Sequence, residues 1–200
     1  MSNALHAISY GLYVITCREN GKDNGMIGNT VMQLTSTPCT VAVCINKENY
    51  TCGMVSRTGK MNVCCLTEET PFSVFEAFGF KSGKDTDKFE GITPAYAENG
   101  IAILPEYTGA YLSLSVLEEK DMGSHVLFLC EVTENKVLLE KEYMTYAYYH
   151  KNVKPRPKAQ KKKAFVCKIC GYMHEGDTLP PDFTCPWCKH GPEDFELLSF

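Results

Sequence analysis

Two paired cysteine loops near the end of the sequence constrain this chain more than any other feature. Cys167-Lys168-Ile169-Cys170 and Cys185-Pro186-Trp187-Cys188 are C-x-x-C loops with fourteen residues between them. Each loop turns its two sulfurs toward one point, so the pair makes a tetrahedral four-thiolate site for a single metal ion. Spacing alone suits zinc as well as iron. The segment carrying them, 164–200, has roughly 37 residues, near the lower size limit for a fold, so metal must supply much of its stability. Phe165, Tyr172, Phe183, Trp187 and Phe195 are expected to pack as a small core around the ion. His174 is read as a surface or flanking group, because four thiolates already complete the tetrahedron.

The other cysteines bear on compartment. The chain of 200 residues has eleven, an odd number that complete pairing in one chain cannot satisfy. Met1–Tyr10 lacks the basic start and apolar run of a secretory signal. No apolar run approaches the ~18 residues that span a bilayer. The reading is a reducing, cytoplasmic setting in which some thiols hold metal, which argues against a secreted disulfide scaffold and a membrane protein. A composition 44% hydrophobic and 22% charged can bury a core.

Charge divides the chain. Residues 1–150 carry eleven basic and eighteen acidic side chains, a balance of −7. The run 151–163, KNVKPRPKAQKKK, is +7, and 164–200 is −4. With Pro155, Pro157 and no hydrophobic period, 151–163 is read as an extended linker between two domains. Nothing aromatic is interleaved to stack on bases, so nucleic acid is not the expected partner. The acidic metal domain, taken by net charge, is expected to favour a partner with a basic patch.

Residues 1–150 read as mostly β. Strands are expected at 11–17, 40–46, 61–66, 111–116 and 126–132, with a hairpin turn across Asn135 leading to 137–140. Helices are expected at 50–57 and 73–80. Many short strands with few helices indicate a closed or nearly closed β-barrel. Cys44, Cys64 and Cys130 fall in strands as small core residues, and no nucleophilic Cys/His or Ser/His pair can be assigned.

Phe165-Val166-Cys167-Lys168-Ile169-Cys170-Gly171-Tyr172 resembles the first knuckle of rubredoxin, and Cys185-Pro186-Trp187-Cys188 with Phe195 resembles the second. Gly171–Gly176 and the short spacer are most similar to the compact rubredoxin domains of rubrerythrins. The resemblance implies one iron held by Cys167, Cys170, Cys185 and Cys188, serving as a one-electron carrier. Lys189 stands where a glycine often follows the fourth cysteine, a departure that bears on amide-to-sulfur hydrogen bonding and on the potential.

An iron carrier moves single electrons, whereas nicotinamide delivers two as a hydride; a flavin joins them. The barrel has no G-x-G-x-x-G after a strand. Asn46-Lys47-Glu48-Asn49-Tyr50-Thr51 instead combines hydroxyl, cation and helix start, as a phosphate requires. Gly25–Gln33, Thr35–Pro38, Asn46-Lys47, Tyr50-Thr51 and Phe78–Gly83 with Asp87-Lys88-Phe89 resemble the flavin reductase-like family, whose fold is an FMN-binding split barrel. The resemblance implies that Asn29, Thr30, Val31, Met32 and Gln33 line the isoalloxazine and that Asn46, Lys47 and Thr51, beside Tyr50, hold the phosphate end. It places the Ser82-Gly83 loop and His150 near the site or a homodimer seam. Barrel and rubredoxin together resemble the high-molecular-weight rubredoxins, which implies electron flow from NAD(P)H through FMN and iron to a flavodiiron-type partner. Two alternatives remain open at this point: a free-flavin or ferric-complex reductase, and a zinc-ribbon binding module beside a flavin or haem sensor barrel.

Overall fold

The computed structural model describes residues 4–155, 163–176 and 178–199. Contacts divide the chain into two compact units, Met1–Lys154 and Pro155–Phe200. Most of the expected linker, 156–162, lies outside the described residues.

In the first unit the chain runs through β1 (Tyr13–Glu19), β2 (Lys22–Gly28), β3 (Val31–Ser36), β4 (Cys39–Asn46), α1 (Tyr50–Thr58), β5 (Lys60–Leu66) and α2 (Phe72–Gly79). It continues through β6 (Ala95–Tyr96), β7 (Ala102–Ile103), β8 (Thr108–Asp121), β9 (His125–Val137) and α3 (Tyr146–Tyr148), which widens into a looser turn, Tyr149–Val153. Seven strands form one antiparallel sheet in the order β2-β1-β5-β8-β9-β4-β3, and β6 and β7 make a separate ribbon. The two edge strands are joined by only Asn29 and Thr30, so the curled sheet is split where β2 hands over to β3.

β1 and β5 are buried on both faces, which is why they read as nearly continuous apolar runs. Ile15, Met61 and Val63 point into the barrel with Val43, Ile45, Leu114, Phe128 and the α1 residues Met54 and Val55. Val14, Cys64 and Leu66 point the other way, onto Val74, Phe75 and Phe78 of α2 and Tyr149. At ~25 cal/mol per Å² of apolar area removed from water, these two clusters are the main source of the unit's stability.

The hairpin expected at Asn135 is absent. β9 continues through it, and Asn135 faces Leu112 of β8. An irregularity between Ser113 and Leu114 sets Thr133 out of the ladder, so the strand bends there without turning.

The second unit is a three-stranded antiparallel sheet with β10 (Lys163–Cys167) between β11 (Met173–Glu175) and β12 (Phe195–Ser199). No helix among the described residues is long and apolar enough to cross a membrane.

Candidate functional site

The four cysteines of the second unit converge. Their sulfurs all lie within 4.8 Å of one another, with Cys167 to Cys188 at 3.6 Å and Cys170 to Cys185 at 3.5 Å. Those separations are far beyond a disulfide bond. Metal–sulfur bonds of about 2.3 Å in a tetrahedron place sulfurs roughly 3.8 Å apart, so the cluster has the dimensions of a one-metal site.

The two loops repeat one hydrogen-bond pattern. Gly171 N donates to Cys167 O at 2.9 Å and Lys189 N to Cys185 O at 3.0 Å. Cys167 N donates to Tyr172 O and Cys185 N to His190 O, both at 2.9 Å. The turn needs left-handed backbone after each second cysteine, which Gly171 (φ 76°) supplies at no steric cost and Lys189 (φ 64°) adopts with a side chain. Burial pushes the Cys185 thiol up, but hydrogen bonds from the amides of Cys188 and Trp187 and from neighbouring cysteines outweigh it and hold the group below the ordinary thiol range. Those donors favour thiolate, the form a metal binds, at Cys185, whereas burial holds Cys170 up, and at Cys188 the His190 amide is outweighed by burial and the neighbouring cysteines, which hold that thiol up.

Phe183 stacks on Tyr172 and meets Phe195 edge-on, and His174 packs against Phe183 at 4.6 Å. Trp187 departs from the expected aromatic core. It touches Tyr172 edge-on but is 69% exposed, because it occupies the outward tip of its loop.

In the barrel, the register brings some of the sequence-nominated residues together. Cys44 N donates to Thr30 O at 3.0 Å, which sets Asn29, Thr30 and Val31 beside the end of β4 that carries Asn46. Met32 lies opposite Ala42, farther along the exposed edge of β3, and Gln33 bonds locally to Thr35 O. The three residues expected at the phosphate take separate partners. The Asn46 side chain accepts the Glu48 amide, Lys47 pairs with Asp121 of β8 at 2.5 Å, and Thr51 turns inward with its hydroxyl accepting from Asn24. The reason is positional: α1 begins at Tyr50, so Lys47 precedes the helix and faces β8, while Thr51 lies in its first turn and faces β2.

Asn24, which the sequence did not single out, connects two nominated regions. It donates to Thr51 and lies under Gly83, where a Cβ would come within 1.9 Å of Asn24 Oδ1. Lys22 Nζ donates to Gly83 O at 2.9 Å and sits 5.9 Å from the Tyr50 ring centroid. Tyr50, Thr51, Ser82 and Gly83 therefore surround one cationic corner at the start of α1, a helix whose first turn has no side-chain cap and no acid. That corner is suited to a phosphate. The only available signal for Asn24 was a polar side chain at an inward position of a strand. His150 lies elsewhere, beside a cleft of about 430 Å³ between Ala7–Tyr10 and Thr145–Ala147, with its ring on Tyr146.

Residues 5–156 match the flavin reductase like domain, and 165–196 match the rubrerythrin, rubredoxin-like domain. The high molecular weight rubredoxin of Moorella thermoacetica is 38% identical over 98% of this chain and 99% of its own length. The chain belongs to the high-molecular-weight rubredoxin family. The ferric-chelate reductase (NAD(P)H) of Archaeoglobus fulgidus is 40% identical over 74% of this chain and 87% of its own. An FMN-binding protein from Thermus thermophilus superposes with a TM-score of 0.62 at 20% identity, over 68% of this chain and 77% of that one, a likeness of fold.

Flavin and iron are the cofactors that the family's two domains imply, and the residues fit both. Four convergent cysteines with amide donors suit iron, and an uncapped helix start beside the Lys22 ammonium suits a flavin phosphate.

Proposed function

We propose that this chain passes electrons from NAD(P)H through a barrel-bound FMN to an iron held by Cys167, Cys170, Cys185 and Cys188, and on to a separate redox protein. The observation that carries the reading is the four-cysteine cluster joined in one chain to a flavin reductase-like barrel. Bound flavin supplies the conversion of a two-electron donor into single electrons. The protein's part is placement. Asn29, Thr30, Val31, Met32 and Gln33 would border the ring along the split of the barrel. The amides of Tyr50 and Thr51, with Asn46, Lys47 and the Ser82-Gly83 loop, would hold the phosphate end, and His150 would lie toward the rim or the seam.

A homodimer is part of this reading, and the outer face of the sheet supports it. Met32 and Leu34 on β3 and Leu117 on β8 are exposed apolar side chains, and Met32, Ala42 and Leu129 stand in one row across three strands. A second copy would cover that row beside the flavin. The cytoplasm and a flavodiiron-type acceptor belong to the same reading.

A second reading has one specific support. The Archaeoglobus relative, which matches 74% of this chain, is a ferric-chelate reductase (NAD(P)H). On that reading the barrel reduces free flavin or ferric complexes, and the metal domain only docks partners. Iron and zinc analysis of the purified chain, with an anaerobic visible spectrum before and after NADH, separates the two. The relay requires about one iron per chain and bleaching of both the yellow and the red absorbance. Full-occupancy zinc from iron-replete expression would contradict it.

A further inference from the structure

A cleft of about 710 Å³ opens beside the cationic corner, between the β1–β2 turn and the segment 84–96. Small-molecule sites usually enclose about 300–1,000 Å³. Lys22 belongs to both places: its Nζ holds Gly83 O at the corner, and its side chain lines the cleft. Lys84, which directly follows Gly83, lines the cleft as well. The rim is held by its own bonds. Asn20 and Gly21 make a two-residue turn with left-handed backbone, φ 52° and 79°, as a tight hairpin requires. In the facing loop the Lys84 amide donates to Ser82 Oγ, and the Phe89 amide donates to Asp87 Oδ1.

Tyr96 offers a flat surface there. Its hydroxyl donates to Asp23 Oδ2 at 3.0 Å, and Arg18 pairs with the same carboxylate at 2.9 Å while lying 5.2 Å from the ring centroid. Held in this way, Tyr96 is still 52% exposed. Ile92 and Pro94 add an apolar wall. Arg18 neutralises Asp23, which leaves Lys22 and Lys84 facing Asp85 and Asp87; these four take part in none of the ion pairs among the described residues. So balanced a cleft is not a general anion site. It matches a group that carries a phosphate for the lysines, hydrogen-bond donors for the carboxylates and a flat ring for Tyr96. An adenosine 5′-phosphate group has all three: the ribose hydroxyls and the adenine amino group donate, and the base stacks on an aromatic face.

We propose that this cleft receives the adenosine 5′-phosphate half of FAD, so that the chain takes FAD as well as FMN. The flavin-side phosphate sits at the corner, Lys84 meets the second phosphate and Tyr96 carries the adenine. This rests on the reading that places a flavin phosphate at the corner. Continuity selects FAD as the source of the adenylate, because its two phosphates are adjacent and Lys22 spans corner and cleft.

The test is titration of the metal-loaded full chain, freed of flavin, with FAD, FMN and riboflavin, followed by flavin fluorescence. Tyr96→Ala should weaken FAD about fivefold or more and leave FMN within about twofold. Tyr96→Phe keeps the ring and should restore FAD binding. Lys84→Ala should also weaken FAD more than FMN, which keeps the test available if Tyr96→Ala folds poorly. FMN binding without FAD binding would overturn the proposal, as would equal losses for the two flavins. The adenylate could also come from the nicotinamide nucleotide, and the FMN-loaded chain separates that source. If the variants raise the NADH concentration that half-saturates flavin reduction and leave the FAD-to-FMN ratio unchanged, the cleft belongs to NADH and the proposal is overturned. Riboflavin bound as tightly as FMN would instead fail the phosphate corner, and the FAD-specific loss at Tyr96 would still decide the cleft.

Discussion

Asn24 Nδ2 donates to Thr51 Oγ1 at 3.0 Å, and each of the two residues is only 1% exposed. The bond ties the inner face of β2 to the first turn of α1, and Gly83 closes over it. The cationic corner assigned to the flavin phosphate is built on this link.

Gly83→Ala is expected to cost about 1–3 kcal/mol, because its new Cβ meets the Asn24 carboxamide. Asn24→Ala should also cost about 1–3 kcal/mol, leaving the Thr51 hydroxyl buried without its donor. The double variant should be less destabilised than the sum by at least ~0.5 kcal/mol, since the clash is lost with the carboxamide. Urea unfolding of the four proteins checks this; strict additivity would mean that the loop does not rest on Asn24.

How much of this was legible in the sequence depended on burial. β1, β4, β5, β8 and β9 stood out because their Val, Ile, Leu and Cys side chains fill the two cores. β2 was hidden by Asn24, Gly25 and Gly28, and β3 by its place on an exposed edge, where no alternation is required. The cysteine site was legible because C-x-x-C geometry is local. The different partners of Lys47 and Thr51 were not, since they depend on where α1 starts relative to β8 and β2. Trp187 misled for a related reason: a large aromatic defaults to core, and only the loop's outward turn exposes it.

Lys47 and Asp121 give a separate test of the phosphate end. Their pair is exposed and screened by water, so removing it should barely change unfolding. Lys47→Ala should weaken FMN several-fold more than riboflavin, and Asp121→Asn, which frees the ammonium, should tighten FMN. Titration of both ligands by flavin fluorescence decides it; equal losses for FMN and riboflavin would remove Lys47 from the site.

The metal domain should depend on its ion. Cys185→Ser should abolish the red iron absorbance, leave the flavin spectrum intact and make 163–199 sensitive to proteolysis, since so small a fold draws much of its stability from metal. A strong chelator should do the same to the unaltered protein without lowering the melting temperature of the barrel. Joint melting of both units on chelation would contradict their independence.

Lys88 sets a pH dependence in the barrel. It is 5% exposed and donates from Nζ to Phe78 O at 3.1 Å, and burial lowers its pKa to about 8, partly opposed by Cys17 nearby. The ordinary lysine value is about 10.4, so between pH 8 and that value the Lys88 contribution to stability rises with pH, while the buried thiols Cys17, Cys64 and Cys130, pushed up to about 12, contribute in the opposite direction. Below pH 8 the buried charge imposes its full cost. Lys88→Met should remove this rise, which denaturant titrations at pH 7, 8, 9 and 10 would reveal as a loss of slope relative to the unaltered chain.

The relay itself is tested most directly by anaerobic stopped-flow mixing of the iron-loaded, FMN-loaded chain with NADH, followed at flavin and iron wavelengths, alongside Cys185→Ser. The flavin absorbance should fall first and the red iron absorbance should follow it, while the variant should show the flavin phase alone at an unchanged rate. Full flavin reduction with the iron absorbance untouched over many turnovers would contradict the account.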